Sequence, residues 1–115
     1  MNDSIDLPEL LTPHVKAARR RGVFALLGLG MVESLSSGAI STSEAVRLFF
    51  HAENCHYVHK RMRDNVADEF MSRGVQLPDL FDALSEREAQ QEFQRELSNM
   101  RSLCLRLLAQ PRAVA

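Results

Sequence analysis

Apolar residues recur at Ala45, Leu48, Phe49, Ala52, Cys55, Val58, Met62, Val66 and Phe70, in steps of three and four that draw one stripe along a helix. The other faces carry Arg47, Glu53, Lys60, Arg61, Arg63, Asp64, Asp68 and Glu69. Ahead of the stripe, Ser41-Thr42-Ser43-Glu44 spells a helix start. The Ser41 hydroxyl can accept from the Glu44 amide while the Glu44 carboxylate reaches back to the Ser41 amide. Arg73 suits the negative end of such a helix, and Gly74 can close it in the left-handed conformation. The pattern therefore predicts one long central helix over residues 42–73. Such a rod would measure roughly 45 to 50 Å, and a bend is expected near Asn54 or Asn65.

Two further long helices are predicted. Thr12 and Pro13 read as N-cap and first helical position, opening a helix over 13–36 whose segment Val23 to Val32 is apolar nearly all round. Ser85 and Glu88 repeat the start code, and Ala89, Phe93, Leu97, Met100, Leu103, Cys104, Leu107 and Leu108 mark the buried stripe of a helix over 86–109. Leu105 falls outside that stripe. Segments Leu7 to Thr12 and Pro78 to Leu84 suit short helical turns. The expected fold is all-α, an irregular bundle of three main helices with one or two short turns. It forms a single domain over 1–115, with loose ends at about 1–6 and 110–115.

Composition narrows the function classes. The 115 residues are 45% hydrophobic and 25% charged with a formal net charge of -1, ordinary values for a globular protein without a global basic field. The run Val23 to Val32 follows Arg19-Arg20-Arg21 and superficially resembles a secretory signal, yet Asp3, Asp6 and Glu9 precede it and Glu33 interrupts it. Its ten apolar positions are about half of a membrane span. The expectation is a cytoplasmic protein that does not enter membranes. Cys55 and Cys104 both sit on apolar stripes, as reduced, buried cysteines do.

The sharpest candidate chemistry is a cluster on the predicted central helix, where three of the four histidines, His51, His56 and His59, surround Cys55. His51, Cys55 and His59 are spaced four apart and share one line of a helix, a nitrogen and sulfur set that suits zinc or copper. Three ligands in a row span about 12 Å and cannot all reach one ion without a bend, so the usable pairs need completion by His14 or another chain. The same cluster allows a thiol-dependent regulator. Gly22, Gly28 and Gly30 do not match a phosphate loop, and no strand precedes them; close helix approach at Gly28 and Gly30 explains them better. Asp64, Asp68 and Glu69 read as a solvated acidic patch.

Lys16, Arg19, Arg20 and Arg21, joined by Lys60, Arg61 and Arg63, can form a local basic strip for an acidic protein or for nucleic acid. Without interleaved aromatic residues, a protein partner or plain solvation fits the strip better than nucleic acid. No catalytic set and no resident cofactor is expected, zinc being the alternative. The leading expectation is a non-enzymatic interaction module of the immunity, inhibitor or adaptor type. It would act on another protein, or on a second copy as a homodimer, through Arg19, Arg20, Arg21, Lys60, Arg61, Arg63 and Leu105. A metal-binding or thiol regulator comes second and a nucleic-acid-binding regulator third.

The segments Leu27-Gly28-Leu29-Gly30-Met31-Val32-Glu33-Ser34-Leu35, Gly38-Ala39-Ile40-Ser41, Glu44-Ala45 and Gly74-Val75-Gln76-Leu77-Pro78-Asp79-Leu80 together resemble a small bacterial helical family of unknown function. The likeness spans roughly residues 24–108. It implies a bacterial, helical protein and assigns no activity and no site residue.

Overall fold

The structure, a computed structural model, describes residues 4–109. Every element among the described residues is helical: α1 (Leu7–Leu11), α2 (Ala17–Ser36), α3 (Thr42–Leu48), α4 (Ala52–Tyr57), a π-helical segment (Val58–Met62), α5 (Asn65–Ala83) and α6 (Glu86–Ala109). The all-α expectation holds, and three long helices with short turns is roughly what α2, α5 and α6 make, but the number of helices and the bounds of the central one differ. The region 42–73 is three pieces rather than one rod, and the third of them runs on to Ala83.

The first break follows from a competition for backbone partners. Ser41 and Glu44 form the expected capping box, at 3.1 and 3.0 Å, so α3 starts as its code dictates. It ends after two turns because the N-terminal segment takes over its carbonyls. The Ile5 amide donates to the Leu48 carbonyl at 2.7 Å, and the fully buried Asn54 side chain donates to the carbonyls of Phe49 (2.8 Å) and Ile5 (2.9 Å). Asn54 Oδ1 also accepts from the Leu7 amide at 2.9 Å, which seats α1. Breaking here turns two adjacent residues inward, Phe49 and Phe50, which an unbroken helix would splay by 100°. Their rings join Phe24 of α2 and Phe70 of α5 in a chain with centroid separations of 5.2 to 6.0 Å. Ile5 and Asp6, assigned to a loose end by sequence, are thus pinned; residues 1–3 and 110–115 lie outside the described residues.

The second break is at Arg63 and Asp64, beside Asn65. The π segment ends with the Arg63 amide on the Val58 carbonyl at 3.1 Å. Arg63 then adopts a left-handed conformation, φ 52°, the one described non-glycine residue with positive φ. Asp64 restarts the chain as the N-cap of α5, accepting from the amides of Val66 (2.9 Å) and Ala67 (3.1 Å). Gly74 does not close this helix. It lies buried in mid-helix with the Phe50 ring seated where its side chain would be. Pro78, which cannot donate to the Gly74 carbonyl, is also tolerated inside α5.

The start of α2 moves as well. Thr12 caps the end of α1, its amide donating to the Pro8 carbonyl at 3.1 Å. Arg20 holds the turn that follows, its guanidinium donating to the carbonyls of Leu11, Thr12 and Val15 at 3.3, 3.0 and 3.0 Å. These bonds occupy residues 12–15 as a turn, and α2 begins only at Ala17.

α5 and α6 form an antiparallel hairpin, clipped halfway by Arg73, whose guanidinium bonds Glu69 (2.9 Å) and Glu96 (2.6 Å). α2 lies across the hairpin where Gly28 permits close approach: a methyl group there would stand 2.8 Å from Cys104 Sγ and 3.0 Å from the Phe70 ring. Gly30 has no neighbour in that position, so only Gly28 plays the expected role. Since Arg21 meets Asp64 and Gly28 meets Phe70, α2 runs parallel to α5 and antiparallel to α6. No described helix is long and apolar enough to cross a membrane.

Candidate functional site

The topology gathers the two basic segments at one end of the molecule. Residues 14–21 and 56–63 contain seven of the 14 lysines and arginines and no acid. They meet where α2 begins and α5 restarts, and the joint is an ion pair between Arg21 Nε and Asp64 Oδ2 at 2.7 Å. Asp64 divides its oxygens between two tasks: Oδ1 caps α5 and Oδ2 holds Arg21. Its side chain is 6% exposed, so the pair welds the two segments together rather than presenting a carboxylate.

This arrangement sorts the sequence-predicted basic residues into two groups. Arg20 and Arg21 are committed to the fold, one to loop carbonyls and the other to Asp64. Lys16, Arg19, Lys60, Arg61 and Arg63 are exposed and form no ion pair among the described residues. The π segment brings about the display. With five residues to a hydrogen-bonded ring it widens the helix just before the break, and Lys60, Arg61 and Arg63 all emerge outward while Val58 stays buried. Leu105, 51% exposed, lies near the C-terminus of α6, at the same end as Asp64.

Beside the basic face runs an open groove of about 480 Å³. It is lined by the apolar Pro8 and Ala52, by Tyr57, and by the polar Glu53, His56, Lys60 and Arg61. Tyr57 is held from below, its hydroxyl 3.4 Å from Thr12 Oγ1. Sequence reading placed Lys60 and Arg61 on a surface strip but did not find Pro8 or Ala52 beside them. The signal was weak: both are small apolar residues, and only the Asn54 clamp brings α1 against α4.

The histidine and cysteine cluster is dispersed. His51 precedes α4 and its Nε2 lies 2.9 Å from the Ile5 carbonyl. Cys55 points to the Phe50 carbonyl, Sγ to O 3.9 Å. His59, on the π segment, pairs through Nδ1 with Asp68 at 3.1 Å on the surface. The predicted line of ligands assumed one unbroken helix, and both the helix start at Ala52 and the π segment displace it. Among the described residues no three His, Cys, Asp or Glu side chains stand close enough to hold one metal ion. Burial first, and the Asp68 charge second, push the Cys55 thiol above its ordinary range. Burial alone pushes Cys104 up to about 12. Both shifts favour the neutral thiol, the reverse of what a nucleophile needs.

Compared with known protein families, curated proteins and solved structures, the chain matches none. What it can do is therefore argued from its own geometry.

Proposed function

We propose that this chain is a non-enzymatic protein-interaction module of the immunity, inhibitor or adaptor type that receives an acidic partner protein on its basic end. The observation that carries the reading is the joining of segments 14–21 and 56–63 through the buried Asp64, which leaves Lys16, Arg19, Lys60, Arg61 and Arg63 exposed and unpaired among the described residues. Arg63 adds to it. An arginine in the left-handed region costs on the order of 1 kcal/mol, which glycine would avoid. A strained arginine beside two further cations is accounted for by what its side chain does in solution.

A protein fits this face better than nucleic acid. The groove is lined by the apolar Pro8 and Ala52, and the one aromatic residue nearby, Tyr57, is only 4% exposed and so offers no stacking platform. Rim cations of this kind raise association rates and select partners by charge more than they add affinity.

The test begins with untagged protein purified from lysate without chelator and examined by native mass spectrometry. Each co-purified protein is then titrated, in pure form, against the wild type and against Lys60→Glu/Arg61→Glu/Arg63→Glu. The reading expects an acidic partner whose affinity falls about tenfold or more in the triple variant. Partner binding that ignores the three substitutions would refute it, as would tight, sequence-selective binding of DNA or RNA at physiological salt.

A further inference from the structure

The charges removed from the basic end are collected at the opposite one. Residues 79–92, which form the corner between α5 and α6, carry five acids (Asp79, Asp82, Glu86, Glu88 and Glu92) against the single cation Arg87. The last turn of α5 contains no basic residue, so its unsatisfied carbonyls add negative potential. From Asp64 to Asp82 along α5 is about 27 Å at the helical rise, several Debye lengths at physiological salt. The two ends therefore do not neutralise each other within one copy, and the formal net charge of -1 conceals a strongly bipolar molecule. Two copies feel little overall repulsion.

The acidic corner also carries an apolar knob. Phe81 is 39% exposed, its inner side resting on Phe93 at a centroid distance of 5.4 Å. Asp79 and Asp82 flank it in the chain and are exposed. At the other end, the groove is lined by Pro8, Ala52 and Tyr57 beside the exposed cations Lys60 and Arg61. The end of α5 thus presents an exposed Phe81 with Asp79 and Asp82 together on a neighbouring face of the same last turns, and the other end presents apolar residues beside two cations.

We propose that the groove beside Lys60 and Arg61 receives the Asp79-Phe81-Asp82 corner of a second copy, so that the protein associates head to tail. The occupant is a second copy because this chain supplies both complementary halves. The contact uses different surfaces on the two copies and leaves one free groove and one free corner on every pair, so growth need not stop at a dimer. It rests on the basic end being a docking face, as the partner reading does. The protein alone tests it, so self-association and partner binding can fail separately.

The experiment is sedimentation equilibrium of the purified chain over a wide concentration range. At about 0.05 M salt the weight-average mass is expected to climb from the 13.0 kDa monomer past the dimer without a plateau, and about 0.5 M salt should weaken the association roughly tenfold. Lys60→Glu/Arg61→Glu and Asp79→Lys/Asp82→Lys should each weaken it about tenfold or more. Mixed in equal amounts, the two variants should pair, because the first keeps an acidic corner and the second a basic groove. All four substituted residues are exposed, and unchanged circular dichroism confirms that the fold persists. A chain that stays monomeric at about 1 mM in low salt overturns the proposal. So does association that survives both double variants; its loss on replacing the exposed Leu26 or Leu105 (Leu26→Glu, Leu105→Glu) would then mark apolar side-to-side pairing instead.

Discussion

Four glycines within helices provide a test in which one substitution should change sign with position. Glycine to alanine in a helix interior gains about 1 kcal/mol when the methyl group meets nothing. A methyl group on Gly22 or Gly30 would meet nothing within 4 Å beyond its own stretch of helix, so alanine at either should raise stability by roughly that amount, or about 4 °C in Tm. At Gly28 the methyl would lie 2.8 Å from Cys104 Sγ and 3.0 Å from Phe70, both fully buried side chains. Overpacking of this kind costs about 1 to 3 kcal/mol, which outweighs or cancels the propensity gain. At Gly74 the methyl would fall inside the contact surface of the Phe50 ring, at three of its atoms. That ring is clamped by Phe49 and Phe70 at 5.2 and 5.6 Å, so Gly74→Ala should lose about 2 kcal/mol or more. Urea denaturation of the four variants measures the series, with an unchanged m-value as the sign that only native packing has altered. The reasoning fails if Gly74→Ala is as stabilising as Gly22→Ala, because Phe50 would then not be packed against α5 and the break at Phe49 would lose its purpose.

Arg63→Gly should stabilise the fold by about 1 kcal/mol by relieving the left-handed arginine, while weakening association with an acidic partner; thermal melts and binding titrations read the two effects separately, and a destabilised variant would contradict the backbone argument. Asp64→Ala should cost about 2 kcal/mol through the lost α5 cap, whereas Asp64→Asn, which can still cap, should cost less than about 1 kcal/mol; equal losses would assign the stabilisation to the Arg21 pair instead. Because burial raises the folded-state pKa of Cys104 from 9.0 to about 12, the unfolded thiol ionises first as pH rises, so stability is unaffected below about 9 and declines between about 9 and 12. Denaturation across that window should show a steeper decline for the wild type than for Cys104→Ala, and identical slopes would refute the burial argument. Zinc titration of the reduced protein should give no stoichiometric uptake, since His51, Cys55 and His59 are engaged separately; a one-to-one complex abolished by Cys55→Ser would restore the metal reading.

Local grammar was legible wherever the backbone partners were local. The Ser41 and Glu44 box starts α3 as written. Ser85 engages Glu88 through both its amide and its carboxylate at the start of α6, and the α6 stripe from Ala89 to Leu107 is buried as its spacing predicts. The reading failed where a distant group competes for the same carbonyls. Asn54 and Ile5 end α3, and Arg20 converts the apparent helix start at Thr12 and Pro13 into a turn. The length of the predicted rod points to a bend near Asn54 or Asn65, but periodicity alone does not reveal that Asn54 is a fully buried hub. Gly74 misled for a related reason: a glycine after an arginine looks like a helix end, and only the Phe50 ring from 24 residues upstream explains a glycine in mid-helix.

The same breaks that defeated the periodic reading connect the core to the proposed docking face. A continuous helix over 42–73 could not turn both Phe49 and Phe50 inward, and without the π segment and the left-handed Arg63 it would not project Lys60, Arg61 and Arg63 together beside Asp64. The aromatic chain Phe24, Phe49, Phe50 and Phe70 stabilises the first break by burying two rings that a straight helix would split. No comparable apolar gain offsets the second, where Met62 is only partly buried and Arg63 is exposed. Its stabilisation is confined to the Asp64 cap and the Arg21 pair, about 1 to 2 kcal/mol in sum, set against a strained backbone worth a similar amount. Glycine at position 63 would ease a break so nearly balanced in folding energy, and an arginine there instead is best accounted for by the three cations that the break presents.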